Sequence, residues 1–238
     1  MKIIGVIPAR YHSQRFPGKP LTQINGKTMI RHVYERAIKS RVLDDLIVAT
    51  DSHLIQEEVQ SFGGHVMLTS VTHASGSERV AEVADKIDGD FFINIQGDEP
   101  LINPLLLDDI AMKAIEFPNS VVTAKLKLIG KSSADNPNIV KVVTDKADNA
   151  LYFSRSRIPY NRSNEDVELF KHIGIYGFPK KILQGYTTLP RMELEKAEML
   201  EQLRFLENGI NIKVIETMYD SYGVDVKNDV LKIEAMMR

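Results

Sequence analysis

Short apolar runs alternate with amphipathic stretches through the first half of the chain. Runs at 2–7, 46–50, 66–69 and 91–95 have the length of buried strands, and apolar positions at helical spacing predict helices at 27–39, 54–62 and 78–87. Strands that alternate with helices form a parallel sheet covered on both faces. Right-handed crossovers place the strand-to-helix loops along one sheet edge, where ligands of such sheets usually bind.

The pattern changes after residue 120, where β-like runs at 121–128, 140–144, 150–154 and 172–178 follow one another with little helix. This favours an antiparallel β-rich insertion at about 120–190 within a single domain of residues 1–238. A long helix at 193–208 is predicted next, with Leu194, Ala197, Leu200 and Leu203 facing inward and Gly209 ending it. A strand at 212–217 and a helix at 227–236 close the chain.

The predicted fold class is therefore α/β, a mostly parallel, Rossmann-like twisted sheet with helices on both faces and a smaller antiparallel β subdomain. With 238 residues, of which 43% are hydrophobic, the chain can bury a substantial core. Its 30 basic and 32 acidic residues leave a net charge of -2, without a long basic run, so no nucleic-acid partner is expected.

Cysteine and membrane signals are absent from the sequence. Without any cysteine, disulfides, thiol catalysis and thiolate zinc sites are excluded. No segment approaches the roughly 20 apolar residues of a membrane helix, so no membrane insertion is expected. These features predict a soluble cytoplasmic protein.

The first strand runs straight into a loop that carries three cations, Arg10, Arg15 and Lys19, among three prolines and a glycine. Proline stiffens such a loop, and glycine lets the backbone turn or approach a ligand closely. Arginine and lysine on a stiff loop at a strand's carboxyl end can clamp a polyphosphate. The loop matches neither a Walker motif nor GxGxxG. The alternative reading is a solvated basic turn.

Two aspartates are candidate magnesium ligands. Asp98 follows the strand at 91–95, and Asp225 lies between the last predicted strand and the last predicted helix. Magnesium takes oxygen ligands, commonly one or two carboxylates together with phosphates and water. Alternatively, Asp98 is a turn residue and Asp225 caps the helix that follows it.

Nine sequence blocks, in order, carry a resemblance to a known family. They read IPARYHSQRFPGKPL (7–21), ATD (49–51), HASGSERVAE (73–82), NIQGDEP (94–100), NPNIVKVV (136–143), ALYFSRS (150–156), HIGIYGF (172–178), LEKAEMLEQLRFLENG (194–209) and GVDV (223–226). On these blocks the chain resembles the bacterial 3-deoxy-manno-octulosonate (Kdo) cytidylyltransferases. The resemblance implies transfer of CMP from CTP to Kdo for lipopolysaccharide biosynthesis, with Mg²⁺ as cofactor, in a homodimer.

The resemblance also assigns roles to particular residues. It implies nucleotide-binding roles for Pro8, Ala9, Arg10, Arg15, Lys19, Ser75, Gly76 and Gln96. It implies sugar-binding roles for Gln96, Arg155, His172, Tyr176, Glu201 and Gln202. Asp98 and Asp225 become the magnesium ligands, and these two with Arg10 and Lys19 form the catalytic set. The β-rich insertion is expected to contribute to sugar binding and dimerisation.

Three positions depart from the family pattern, namely Arg157, Pro179 and Val226, and the last stands beside the proposed metal ligand Asp225. They leave other substrates open. The rivals are a nucleotidyltransferase for an amino-Kdo, a sialic-acid-like sugar or a sugar 1-phosphate, and a regulator that binds the nucleotide without chemistry. The regulator would bind CTP without turnover, whereas an enzyme would release pyrophosphate.

Overall fold

The structure is a computed structural model that describes residues 1–12, 16–163 and 165–237. Its strands are β1 (Ile3–Ala9), β2 (Gln23–Ile24), β3 (Lys27–Thr28), β4 (Asp45–Thr50), β5 (His65–Leu68), β6 (Phe91–Asn94), β7 (Val121–Lys127), β8 (Lys141–Thr144), β9 (Ala150–Ser154), β10 (Phe170–Pro179) and β11 (Ile212–Glu216). Its helices are α1 (Met29–Ala37), α2 (His53–Ser61), α3 (Gly76–Lys86), α4 (Pro104–Glu116), α5 (Lys131–Ala134), α6 (Lys180–Tyr186), α7 (Glu193–Glu198), α8 (Gln202–Glu207) and α9 (Lys227–Met236).

One central sheet organises the molecule. Seven strands run side by side in the order β11-β7-β10-β6-β1-β4-β5, and β8 and β9 extend the sheet from β10. Strands β6, β1, β4 and β5 are parallel, as is β11 to β7, whereas β10 runs antiparallel to both of its neighbours. The predicted fold class, a mostly parallel sheet with an antiparallel β portion, is confirmed.

Strand β1 lies in the middle of the sheet because its side chains are apolar on both faces, as buried parallel strands require. Ile3 and Ile7 face the core beneath α1, α2 and α4, while Ile4 and Val6 face the core beneath α3, α6 and α8. Because these strands are parallel, the carboxyl ends of β1, β4 and β6 reach one edge of the sheet together. That edge holds the loops that begin at Arg10, Asp51 and Ile95.

The predicted long helix at 193–208 is wrong. The chain forms two short helices, α7 and α8, and Met199 between them takes a left-handed conformation with φ 52°. Leu200 and Leu203 are buried as expected, but Leu194 and Ala197 are exposed and Glu195 is buried in their place. Gly209, with φ 73°, follows the end of α8 as predicted.

A buried ion pair accounts for the break. Both carboxylate oxygens of Glu195 accept hydrogen bonds from the guanidinium of Arg204 at 2.7 Å. In a continuous helix these residues would lie about 13.5 Å apart along the axis, too far to bond. Glu207 also folds back and accepts from the backbone N–H groups of Leu194 and Glu195 at 2.9 and 3.1 Å. The sequence pattern missed the break because Glu195 lies outside the apolar stripe of Leu194, Ala197, Leu200 and Leu203.

Helix α4 is also missing from the sequence prediction. Its signal was present, because Asn103 caps the helix by accepting from the backbone N–H of Leu105 at 3.0 Å, and Pro104 occupies the first turn.

We expect Glu195→Ala to lower the free energy of unfolding by about 3–5 kcal/mol, because it leaves the buried charge of Arg204 without its partner. Denaturant unfolding checks this. The matched control is Glu193→Ala on the same helix, where the carboxylate is 89% exposed and pairs with Lys196, and a change below about 0.5 kcal/mol is expected there. Equal losses in the two variants would contradict the assigned role of the pair.

Candidate active site

Two adjoining cavities open at the carboxyl edge of the sheet. The first, about 500 Å³, is lined by the predicted nucleotide residues Pro8, Ala9, Arg10, Lys19, Ser75, Gly76 and Gln96. The second, about 680 Å³, is lined by the predicted sugar residues Gln96, Arg155, His172, Tyr176, Glu201 and Gln202. Both cavities are lined by Gly76, Gln96, Asp98, Glu201 and Asp225. Of the predicted site residues, Arg15 alone lies outside the described residues.

Lys19 is held where three segments of chain meet. Its Nζ donates to Asp98 Oδ2 at 2.5 Å and to the carbonyl of Val224 at 2.8 Å. The Val224 N–H in turn donates to the carbonyl of Asp98 at 2.9 Å. Gly18, with φ 69°, supplies the left-handed conformation that turns the chain into the short helical turn at Lys19–Leu21. Lys19 therefore lies between the two chain segments that carry Asp98 and Asp225, the aspartates that line both cavities.

The start of α9 bears on the alternative role of Asp225. The side chain of Asp229 accepts from the backbone N–H groups of Asp225 and Val226, each at 3.1 Å. A carboxylate one turn into the helix therefore caps it, and Asp225 stands before the helix on the border of both cavities.

The loop after β6 approaches the loop after β1 very closely. A Cβ at Gly97 would lie 2.8 Å from the carbonyl oxygen of Pro8, so only glycine fits there. Opposite, Ser75 caps α3 by accepting from the backbone N–H of Glu78 at 3.3 Å. The helix N-terminus, with its partial positive charge, lines the first cavity and suits an anion or a polar ring edge.

Glu201 joins α3 to the segment between α7 and α8. Its Oε2 accepts from the hydroxyls of Ser77 at 3.0 Å and Tyr186 at 3.2 Å. Burial, together with the charge of Glu201, raises the pKa of Tyr186 well above its usual value, so the phenol remains a donor. The break at Met199 therefore serves the site, because it lets the chain place Glu201 and Gln202 at the cavity wall.

Strand β10 supplies the opposite wall. His172 packs between the rings of Phe153 and Tyr176, at centroid distances of 5.0 and 5.2 Å, and its Nε2 lies 2.9 Å from the Thr123 hydroxyl. Burial lowers the pKa of His172 to about 3 and raises the pKa of Tyr176 well above its usual value. Both side chains are therefore neutral at physiological pH. Gln96 donates to the carbonyl of Gly174 at 2.9 Å, at the bulge of β10.

Arg155 is positioned by backbone contacts. Its Nε donates to the carbonyl of Glu198 at 2.9 Å, and its own backbone N–H donates to the Glu198 carboxylate at 2.9 Å. Beneath it the fully buried Lys141 donates to the carbonyls of Asn136, Ile139 and Arg155. Glu198 and Lys141 are supports that the sequence analysis missed, since only the fold brings them to Arg155.

Glu99 and Asn94 are further cavity residues that were not singled out. Burial and the neighbouring charge of Asp98 raise the pKa of Glu99 to about 8, so its carboxyl is largely protonated at neutral pH. Both belong to the block NIQGDEP, which flanks Asp98, and that proximity is the signal that could have found them. The departures Arg157, Pro179 and Val226 line neither cavity.

A metal at this site would depend on few protein ligands. Among the residues that the structure describes, no three His, Cys, Asp or Glu side chains are grouped to hold an ion. Asp98 and Asp225 offer hard oxygen donors at the border of both cavities, which fits Mg²⁺ completed by phosphate and water. In this structure Lys19 provides the positive charge beside Asp98.

The fold and the site define a class of protein. A cation-bearing loop and a helix N-terminus face one cavity, a polar second cavity adjoins it, and carboxylates stand at the border. This arrangement brings a phosphate-bearing ligand and a hydroxylated ligand together for group transfer, as in nucleotidyltransferases.

Comparison with known proteins identifies the family. The model of the cytidylyltransferase family matches residues 4–214. A 3-deoxy-manno-octulosonate cytidylyltransferase of Fusobacterium nucleatum is 49% identical over 98% of this chain and 96% of its own, and one of Solibacter usitatus is 46% identical over 100% and 95%. The chain belongs to the cytidylyltransferase family, and its predicted resemblance to the Kdo cytidylyltransferases is confirmed.

Other similarities bear on the substrate and the fold. An 8-amino-3,8-dideoxy-manno-octulosonate cytidylyltransferase of Shewanella frigidimarina is 45% identical over 98% of each chain. The solved structure of CMP:2-keto-3-deoxy-manno-octonic acid synthetase complexed with CTP superposes with a TM-score of 0.96 at 43% identity, covering 100% of this chain and 98% of that one. A Leptospira borgpetersenii cytidylyltransferase, at 16% identity and TM-score 0.65 over 99% of this chain and 86% of that one, shares the fold. None of the described helices is long and apolar enough to cross a membrane.

The neutral state of His172 predicts a pH dependence of stability. Below pH 6.5 this histidine binds a proton in the unfolded chain. In the folded protein it stays neutral until the pH falls to about 3. Its contribution to stability is therefore present above pH 6.5 and is lost as pH falls, by at most about 1.4 kcal/mol per pH unit. We expect His172→Asn to show a shallower loss of unfolding free energy between pH 7 and pH 5 than wild type. The exposed His53 supplies the control His53→Asn, which should follow wild type, and identical slopes for all three proteins would contradict the neutral state.

Proposed function

We propose that this protein transfers CMP from CTP to the anomeric hydroxyl of Kdo, releasing CMP-Kdo and pyrophosphate. The observation that carries the proposal is the pair of adjoining cavities whose shared border holds Asp98 and Asp225. Two substrates bound side by side would meet at that border. Holding reactants in line is worth up to about 7–11 kcal/mol of the barrier.

In the proposed reaction the anomeric oxygen attacks the α-phosphorus of CTP, and the bond to the pyrophosphate oxygen breaks. Arg10 and Lys19 hold the phosphates and offset the negative charge of the leaving group. The predicted nucleotide-binding residues bind CTP, a role proposed for Arg15 as well, and Arg155, His172, Tyr176 and Gln202 hold the sugar acid. Pyrophosphate leaves through the opening of the first cavity, where Arg10 is exposed.

Mg²⁺ is the proposed cofactor, with Asp98 and Asp225 as its protein ligands. Bound there, the ion would neutralise phosphate charge and lower the pKa of the attacking hydroxyl. The Lys19 ammonium next to Asp98 remains available for the phosphates once another cation shares that carboxylate.

Pyrophosphate release, measured for CTP, UTP, GTP and ATP against a panel of sugar acids with magnesium, tests the proposed function. CTP should exceed UTP, because a site built for the cytosine amino group leaves buried acceptors unpaired when it holds uracil. Kdo should be the best acceptor. Equal rates with all four nucleotides would contradict a cytidylyltransferase, and CTP binding without any pyrophosphate would indicate a regulator.

The second candidate substrate is an amino-Kdo. The Shewanella relative named for the 8-amino sugar is 45% identical to this chain, nearly as similar as relatives named for Kdo itself. The same panel separates them, since a preference for the amino sugar would appear as its higher kcat/KM.

The proposal extends to assembly and compartment. The β-rich segment at 120–190 is proposed to form the interface of a homodimer, in line with the resemblance, and the enzyme is proposed to act in the cytoplasm, where CTP is made. Sedimentation of the full chain measures the oligomeric state.

We expect Asp98→Asn and Asp225→Asn each to reduce kcat by about 100-fold or more, because asparagine keeps the shape and removes the charge that faces the metal and phosphates. The double variant should be little worse than the poorer single one, since the two act as a unit. Asp225→Asn should leave thermal stability nearly intact. Asp98→Asn should cost at most about 1 kcal/mol for the partly exposed pair with Lys19.

Asp229 gives the matched control. Asp229→Asn removes the charge of the carboxylate that caps α9, so it should lose stability and retain turnover. A stability loss in Asp225→Asn with activity preserved would overturn the proposed metal pair.

A further inference from the structure

The buried Asn94 carries a polar atom that the fold leaves unsatisfied. The residue is 3% exposed, and within the described part of the chain its Oδ1, which is itself buried, has no hydrogen-bond partner. A buried amide oxygen without a partner costs stability, so folded proteins rarely keep one without a reason. The proposed roles of the site residues do not use this group.

Asn94 lies where a ligand could reach it. It ends β6, directly opposite Val6 of β1 and Tyr176 of β10, and so occupies the face that carries Phe92 two residues earlier. On that face every neighbour along the strands is apolar or aromatic, whereas Asn94 lines the second cavity beside Tyr176. A strand pattern that continued the core would place an aliphatic residue here.

We infer that the Asn94 carboxamide binds a hydroxyl group of the sugar acid. This inference rests on the proposed function and adds a residue to the sugar site. A neutral amide offers both an acceptor and donors, which is the pairing that a hydroxyl satisfies. A polyhydroxylated sugar brings several such hydroxyl groups.

The nucleotide is a poorer occupant of this position. Asn94 lines the second cavity and is absent from the lining of the first, which holds the loop cations and the start of α3. The walls near Asn94 are the rings of Tyr176 and Phe178, stacked at 5.7 Å, and Phe205, which packs on Phe178 at 5.5 Å. Aromatic faces beside a neutral amide suit the carbon and hydroxyl faces of a sugar better than phosphate.

We expect Asn94→Leu, an isosteric change, to weaken use of the sugar acid without a loss of stability. Because it removes an unsatisfied polar group, the unfolding midpoint should equal or exceed that of wild type. The KM for the sugar acid should rise at least about tenfold, with the KM for CTP within about twofold. Asn94→Ala, which cannot overpack the site, should raise the sugar KM in the same way.

Thr50→Val is the matched control. Thr50 is also fully buried at the end of a central strand, but its hydroxyl accepts from the backbone N–H of Ser52 at 3.2 Å and lines neither cavity. Its replacement should lower the unfolding midpoint and leave both KM values unchanged. The contrast separates a polar group kept for the fold from one kept for a ligand.

The outcomes are distinct. A sugar KM within twofold of wild type in both Asn94 variants, or a lowered midpoint with unchanged kinetics, would overturn the role of Asn94 and leave the proposed function standing. An equal rise of both KM values would likewise overturn it. A wild-type protein that turns over no sugar acid with CTP would remove the proposed function and this inference together.

Discussion

The contact on which the site depends is the one between Lys19 and Asp98. It joins the loop after β1 to the loop after β6, and the bond from Lys19 to Val224 ties in the C-terminal segment. These positions are 79 and 205 residues from Lys19 in sequence. Closing such long loops costs entropy that one partly exposed ion pair cannot offset. The central strands β1 and β6, buried on both faces, must therefore bring the loops together, and the ion pair then fixes their relative position.

The second constraint lies on the opposite side of the site, in the segment of α7 and α8. Burial of Glu195 with Arg204 is acceptable only because two short bonds join the charges, and those bonds require the chain to turn back at Met199. The same turn brings Glu201 to the hydroxyls of Ser77 and Tyr186. A feature that breaks local helix propensity thus forms one wall of the sugar cavity.

The local sequence pattern predicted the elements whose residues are uniformly apolar. It failed where a charged residue is buried. Strands β1, β4 and β6 could be predicted because continuous apolar runs have few alternatives, and the edge where their loops meet followed from crossover handedness. The helix at 193–208 could not be predicted correctly, because nothing local distinguishes the buried Glu195 from exposed glutamates such as Glu193. The division of residues between nucleotide and sugar roles came from the family blocks, and the structure shows that the described ones line two adjoining cavities. The role of Lys141 in supporting Arg155 could not be predicted, because it depends on contacts that only the folded chain creates.

Burial also divides the site by charge. Three buried polar groups that line the second cavity are neutral: His172 has a pKa of about 3, Glu99 a pKa of about 8, and Asn94 is an uncharged amide. Arg10 and Lys19 line the first cavity, and Asp98 and Asp225 stand at its border with the second. Neutral dipoles recognise hydroxyl groups without the cost of burying ions, while charge acts most strongly where phosphate oxygens would be displaced. The burial that keeps these three groups of the second cavity neutral therefore leaves the phosphate chemistry to the charged side chains at the junction of the two substrates.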